Sequence, residues 1–330
     1  MVHVAIPVPQ LETRGIGQGV QQPGKRSLRL KKVAGLVLTH NRKDLLQKTI
    51  NAHLGQTWKP AKLIVVNNAS TDGTDAVLEV YKKQLPADFF EVVTLPENIG
   101  SSGGFTAGLK HIINTTDCDW IWLMDDDAIP EPRALEKMRH YYDNLEPKKK
   151  KRVGILQNER VLDYEKFLGM DIPKEDVRGK QISYVTFEGY CVSRRAVDKI
   201  GYPRHEFFLY SDDIEYNWRA ISHGFRVHRV LGSFIYHRDW AKLGKINRGI
   251  INKPNVPPWK LYYRFRNPFL IMENKPVIRF FLMIILAIDY FFWAFVNPEN
   301  AYYAKKGLID GINLVSGKIV EPQRIVPPNK

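Results

Sequence analysis

Cysteine is almost missing from this sequence. Cys118 and Cys191 are its only two in 330 residues, too few for a disulfide framework, and a reduced cytosolic compartment is the simpler reading. The start of the chain has no continuous apolar core and no small-residue cleavage site, so it does not read as a secretory signal. Residues 1–28, rich in Gly, Gln and Pro, are expected to form a flexible leader. There is no internal repeat of the kind that builds solenoids and no G-x-G-x-x-G fingerprint. Acidic residues are in deficit, with 35 Asp and Glu against 49 Lys and Arg, for a net charge of +14. That balance favours polyanionic neighbours such as phosphate-bearing substrates, anionic lipid or nucleic acid. No nucleic-acid motif accompanies it, so nucleic acid is not expected as a partner.

A hydrophobic fraction of 44% with 25% charged residues is that of a globular chain, neither disordered nor multispan. Short apolar runs at Val33–Thr39, Lys62–Asn67, Phe90–Leu95 and Trp120–Met124 read as buried strands. Helical periodicity separates them, from Lys43 to Leu54, through Val77 and Tyr81, and on to about Ile113. Strands alternating with helices predict an α/β fold, a Rossmann-like, mostly parallel sheet flanked by helices. Ligands of such sheets bind beyond the carboxyl ends of the strands, where the polar segments after the first, second and fourth runs converge. Further short strands are expected at Gly154–Gln157 and Ser183–Phe187. A helix is expected at Asp213–His223, with Asp212 as cap, Glu215 completing a capping box and Gly224 ending it. The run Lys148 to Arg152 reads as a solvated helix end or loop.

Asp125, Asp126 and Asp127 stand together where the fourth strand ends. Alternation along an extended chain turns Asp125 and Asp127 to one side and Asp126 to the other. Two carboxylates so close repel unless a cation lies between them, and hard oxygen ligands suit Mg2+ or Mn2+. The bland alternative is that the triplet opens the next helix. Glycines 100, 103 and 104 would let the backbone approach a donor and offer amides to phosphate, or mark only a bend.

Five segments then carry a resemblance: Leu36-Val-Leu-Thr-His-Asn-Arg42, Val65-Val-Asn-Asn-Ala-Ser-Thr-Asp-Gly-Thr74, Glu97-Asn-Ile-Gly-Ser-Ser-Gly-Gly-Phe-Thr-Ala-Gly108, Met124-Asp-Asp-Asp127 and Tyr210-Ser-Asp-Asp-Ile-Glu-Tyr216. In this order they resemble the family 2 glycosyltransferases of GT-A fold, most closely the bacterial galactofuranosyl and rhamnosyl transferases of surface polysaccharides. The resemblance implies an inverting, metal-dependent transferase using UDP-galactofuranose, or dTDP-rhamnose as the alternative, and a glycan or lipid-linked glycan acceptor. It implies that Asp125, Asp127 and His237 hold the metal. Thr39, Asn41 and Asn68 would meet the nucleotide, with Asp126 as an orienting residue and Arg42 toward the diphosphate. Gly103 and Gly104 would lie against the donor. Glu188, Tyr190, Asp212 and Trp240 would face the acceptor, although Tyr190 could equally be a core residue. Asp213 is the expected general base, kept ionised by its helix dipole. Glu215 stands where the family commonly has aspartate, and Tyr210-Ser211 replace its tryptophan-containing lead-in. A nucleotidyltransferase would need an early glycine-rich loop with a basic residue, which is missing; a non-catalytic glycan binder stays open.

The transferase domain is expected at 29–245 and a helical, aromatic and basic region at 246–330. In the latter, Val277–Val296 is long enough to span a bilayer. Arg279 and Asp289 interrupt it, and an interfacial helix on the inner face of the cell membrane is the better expectation. A core helix pair or an oligomer contact is the alternative.

Overall fold

The computed structural model describes residues 30–169, 177–237, 257–296 and 298–322. The leader, the boundary expected at 245 and Trp240 lie outside the described residues. In the first half, β1 (Val33–Thr39), α1 (Lys43–Leu54), β2 (Lys62–Asn67), α2 (Thr74–Gln84), β3 (Phe90–Thr94), α3 (Gly100–Thr115) and β4 (Trp120–Asp125) follow one another as the periodicity predicts. The β3–β2, β2–β1 and β1–β4 pairs are all parallel. Every residue of β1 is buried because both faces are covered, which is why the strand is an unbroken apolar run. Its alternate residues serve two cores. Val33 and Val37 pack with α1, while Ala34, Leu36 and Leu38 pack with α3.

The second half adds β5 (Ala128–Pro130), α4 (Ala134–Asp143), α5 (Pro147–Arg152), β6 (Val153–Val161), α6 (Tyr164–Leu168), β7 (Arg178–Ile182), β8 (Tyr190–Ser193), α7 (Arg194–Ile200), α8 (Asp212–Ser222) and β9 (Arg226–His237). The sheet runs β3-β2-β1-β4-β8-β6-β9-β5, with β7 on β9. Beyond β4 it is mixed rather than mostly parallel: β8 enters antiparallel between β4 and β6, and β5 and β7 both run antiparallel to β9. Residues 183–187 form no strand, contrary to expectation. Side chains serve their carbonyls instead: Asn217 Nδ2 donates to Val185 O at 2.7 Å and Gln157 Nε2 to Thr186 O at 3.1 Å.

The start of α8 also differs. The helix begins at Asp212, its N-cap Ser211 is left-handed at φ 67 and gives no side-chain cap, and Glu215 is drawn to Arg219 at 2.8 Å instead of completing a capping box. Its end is as expected. Phe225 N donates to Ala220 O and Gly224 N to Ile221 O, around a Gly224 at φ 84, a Schellman closure.

Three helices follow, α9 (Pro258–Ile271), α10 (Pro276–Val296) and α11 (Pro298–Ile312). The aromatic and basic stretch of α9 is core, not interface: Tyr262, Tyr263, Phe265, Arg266 and Asn267 are each 0% exposed. A side chain at Gly307 would lie 2.2 Å from Tyr262 O, so α9 and α11 touch backbone to backbone. No helix among the described residues is long and apolar enough to cross a membrane. On α10, however, Val277, Phe281, Ile285, Ile288 and Phe291 are all more than half exposed, at spacings that share one face. Its charges look the other way. Arg279 donates to Ile312 O on α11 at 2.6 Å, and Asp289 feels the charge of Arg264 on α9.

Candidate metal and transfer site

The site lies where β4 and β5 meet the end of β9. Ladder pairing sets Ala128 opposite His237, which brings Asp127 to the imidazole. His237 Nε2 lies 3.2 Å from Asp127 Oδ1 and 3.6 Å from Glu188 Oε1. One ligand atom from each of Asp125, Asp127 and His237 falls within 4.8 Å of the others. These are the three residues expected to hold a metal, and alternation does turn Asp126 away from them. Asp126 accepts from Thr39 Oγ1 at 2.7 Å. Arg42 reaches Asp127 at 2.7 Å and Asp126 at 3.3 Å, and its side chain is 38% exposed.

The electrostatics are those of crowded acids. Burial, then the charges of Asp127, Glu188 and Asp126, push the Asp125 carboxyl well up. Burial pushes Asp126 up to about 7, with Arg42 opposing. His237 is raised: burial works against its charged form, but the hydrogen bond to Asp127 and the charges of Glu188, Asp127 and Asp125 prevail. Two carboxylates and an imidazole converge on one point; the acids crowd one another's charge while the imidazole offers a neutral ligand once deprotonated, a set that fits a divalent cation able to relieve the repulsion between the acids.

Across from this cluster, α8 presents Asp212 and Asp213. Asp213 Oδ1 accepts from Ile214 N at 2.8 Å. Burial, followed by the charge of Asp212, pushes Asp213 up, and Glu188 adds to it. Desolvation therefore opposes the helix dipole that is expected to keep this acid ionised. Asp212 is buried beside the Ser102 hydroxyl, and its Oδ2 has no hydrogen-bond partner among the described residues. The segment leading into α8 carries three non-glycine residues at positive φ, Phe208, Tyr210 and Ser211, a geometry that costs about 1–3 kcal/mol per residue.

Several expected donor contacts face the protein itself. Thr39 is 1% exposed, and its hydroxyl orients Asp126 instead of meeting a ribose. Asn68 Nδ2 donates to Asn98 Oδ1 and Gly100 O, each at 3.1 Å, and its Oδ1 accepts from Ile99 N at 3.0 Å. It latches the loop before α3, which corrects its reading as a base-pairing amide. Gly103 and Gly104 make room inside the fold: a Cβ at Gly104 would stand 2.4 Å from Leu38 Cδ1, and one at Gly103 2.8 Å from Ile99 Cγ1. Asn41 stays at the surface, at φ 56, with Oδ1 accepting from Thr71 N at 2.6 Å. Tyr190 is 0% exposed among Phe187 and Tyr216, a core tyrosine.

Two site residues escaped sequence reasoning. Arg160 pairs with Glu188, and Tyr184, 50% exposed, feels the charges of Asp213, Arg160 and Glu188. Neither sits in a motif; only the β6 and β8 pairing brings Arg160 to Glu188.

Residues 36–199 match the sequence model of glycosyl transferase family 2. Over 99 residues the chain is 37% identical to galactofuranosyltransferase GlfT1 of Mycolicibacterium smegmatis, a match that takes in only 30% of this chain and 30% of that relative. To galactofuranosyltransferase GlfT1 of Mycobacterium tuberculosis it is 24% identical over 280 residues, 79% of this chain and 88% of the relative. Among solved structures, the mannosyltransferase PcManGT from Pyrobaculum calidifontis, in complex with GDP-Man and Mn2+, superposes with a TM-score of 0.50 at 15% identity. That overlap covers 86% of this chain and 75% of the other, and it shows a shared fold. With the mixed sheet and the strand-end acids in place, the chain belongs to family 2 of the glycosyltransferases and has the GT-A fold.

Proposed function

We propose that the protein is a metal-dependent, inverting transferase that moves galactofuranose from UDP-galactofuranose to a hydroxyl of a glycan or lipid-linked glycan, as a step in surface polysaccharide synthesis. The observation that carries this reading is the convergence of Asp125, Asp127 and His237 within 4.8 Å, beside Glu188, whose charge is also felt by Asp213. The sugar follows from the galactofuranosyltransferases to which the chain is similar.

Asp125, Asp127 and His237 would hold Mn2+ or Mg2+, which acts as a Lewis acid on the departing diphosphate. Arg42, partly exposed and shared between Asp126 and Asp127, is set to turn toward that diphosphate. Thr39 keeps Asp126 oriented, and Asn41 lies at the rim where a nucleotide would enter. Glu188, steadied by Arg160 and Thr186, would orient the acceptor, and Tyr184 offers it an aromatic face. Asp213 would take the acceptor proton. The acceptor oxygen bonds to the anomeric carbon as that carbon's bond to the β-phosphate oxygen breaks; the electron pair leaves with UDP and the proton goes to the Asp213 carboxylate. Attack opposite the leaving group inverts the centre.

The apolar outer face of α10, with Arg279 and Asp289 turned inward, supports a peripheral seat on an anionic membrane rather than a span. A net charge of +14 favours the same surface. Buried free thiols at Cys118 and Cys191 are in keeping with its cytoplasmic side. A homo-oligomer contact on that face is the alternative.

Thermal melting with Mn2+ and nucleotides tests the donor, because a ligand of the folded state raises Tm by mass action. UDP should raise Tm and dTDP should not, and UDP-galactofuranose should release UDP. A response to dTDP alone would transfer the reading to dTDP-rhamnose. Binding of both metal and UDP without turnover of any nucleotide sugar would make the protein a non-catalytic binder.

A further inference from the structure

The backbone from Glu206 to Ser211 decides where Asp212 and Asp213 enter their helix, and it is held by two side chains of α9. Asn267 Nδ2 donates to Phe207 O at 3.0 Å, Leu209 O at 2.7 Å and Tyr210 O at 2.9 Å. Its neighbour Arg266 donates to Glu206 O at 3.1 Å and Phe207 O at 2.9 Å. Arg266 Nε also donates to Asn267 Oδ1 at 2.8 Å, which fixes the carboxamide so that its NH2 faces the segment. Both residues are 0% exposed.

The segment needs such a clamp. Phe208, Tyr210 and Ser211 all have positive φ, so its carbonyls follow neither a helical nor a strand ladder and must find partners elsewhere. On its other side it abuts the start of α3. Ser102 N donates to Phe208 O at 3.3 Å and Ser102 Oγ to Arg204 O at 2.6 Å. A Cβ at Gly100 would stand 2.0 Å from Phe208 O. Phe208 is stacked on Tyr263 of α9 at 4.9 Å.

We infer that Asn267, oriented by Arg266, is a positioning residue for the transfer step: its carboxamide holds residues 207–210 in the strained path that aims Asp213 at the acceptor. The inference rests on the reading of Asp213 as base. It also gives the carboxyl-terminal helices a part in catalysis, because α9 holds the segment that leads into α8.

The test compares wild type, Asn267→Ala, Arg266→Lys and Asp213→Asn in the full chain. Turnover is read with Mn2+ and UDP-galactofuranose, or dTDP-rhamnose if wild type turns over only that. Asn267→Ala should lower kcat at least about 30-fold, leave KM for the nucleotide sugar within about 3-fold, and displace the acid limb of the pH–rate profile. Amide exchange of residues 207–213 should accelerate about tenfold or more, with residues 120–127 unchanged. Arg266→Lys keeps the buried charge but loses the Nε–H that orients the carboxamide, and should move the same readouts less far. It stands in should Asn267→Ala not fold. Turnover within about 3-fold of wild type with an unmoved pH profile, or unaltered exchange of 207–213, overturns the proposal in either variant. Full activity of Asp213→Asn removes the base itself, a separate failure that the Asn267 variant does not produce.

Discussion

His237 Nε2 stands 3.2 Å from Asp127 Oδ1, joined across the β5–β9 ladder in which Ala128 faces His237. A strand pair of three residues thus couples the acidic end of β4 to the end of a strand formed some hundred positions later in the chain. Nothing in the helix-rich first half supplies that imidazole.

Asp127→Asn should remove the Mn2+-dependent rise in Tm and lower turnover by more than about 100-fold, since even residues behind a metal's ligands cost 10–100-fold. His237→Ala should do the same. Calorimetric titration with Mn2+ checks it; wild-type affinity in both variants would end the metal reading.

Asp213→Asn should lower kcat by about 10²- to 10⁴-fold, the range for a lost general base, while UDP with Mn2+ still raises Tm as in wild type. The base acts as carboxylate and its folded value is pushed up by burial and Asp212. Activity should therefore rise with pH through a limb lying well above the ordinary aspartate range. The contribution of Asp213 to the stability of the metal-free protein should run the other way: its protonated form is favoured on folding, so that contribution is fully present below the unfolded value near 3.8 and is lost as pH rises through the raised folded value. Equilibrium unfolding across pH should show a shallower decline in Asp213→Asn.

His53 provides a pH dependence unrelated to catalysis. It is 0% exposed, its Nδ1–H donates to Thr49 O at 2.8 Å, and its Nε2 has no hydrogen-bond partner among the described residues. Burial lowers it from 6.5 to about 4. A depressed histidine contributes stability that is present above 6.5 and lost as pH falls toward 4, at most about 3 kcal/mol by linkage. His53→Gln should flatten that loss in denaturant melts at pH 7 and pH 4.5.

Ile285→Glu and Ile288→Glu place charge on the apolar outer face of α10, where the side chains are 62% and 67% exposed. Wild type should float with anionic vesicles and the double variant should not, with the UDP-induced rise in Tm unaltered. Wild type that stays with the soluble fraction would leave the face to a second copy, read by sedimentation.

Gly104→Ala should lower stability by about 1–3 kcal/mol, the usual effect of overpacking, because the new methyl meets Leu38. UDP binding should persist. Selective loss of UDP binding with unchanged stability would return this glycine to the donor.

Local pattern by itself determined the strands and helices from Val33 to Asp125, since a strand buried on both faces must be continuously apolar and its flanking helices amphipathic. It also placed the acids Asp125 and Asp127 on one side, because extended backbone alternates. Tertiary structure decided the rest. Thr39, Asn68, Gly103, Gly104 and Tyr190 stand in or beside recognisable motifs yet are spent on holding the fold, since a motif records that a residue type is needed and not which partner it meets. The rise of Asp213 comes first from burial, which follows from what packs over α8 and is not legible locally; only the smaller contribution, the charge of Asp212, stands in the adjoining sequence. Asn267 and Arg266 sit in a stretch whose aromatics and cations resemble a membrane-facing surface; only the docking of α9 on the path into α8 turned them inward, where buried donors must find carbonyls.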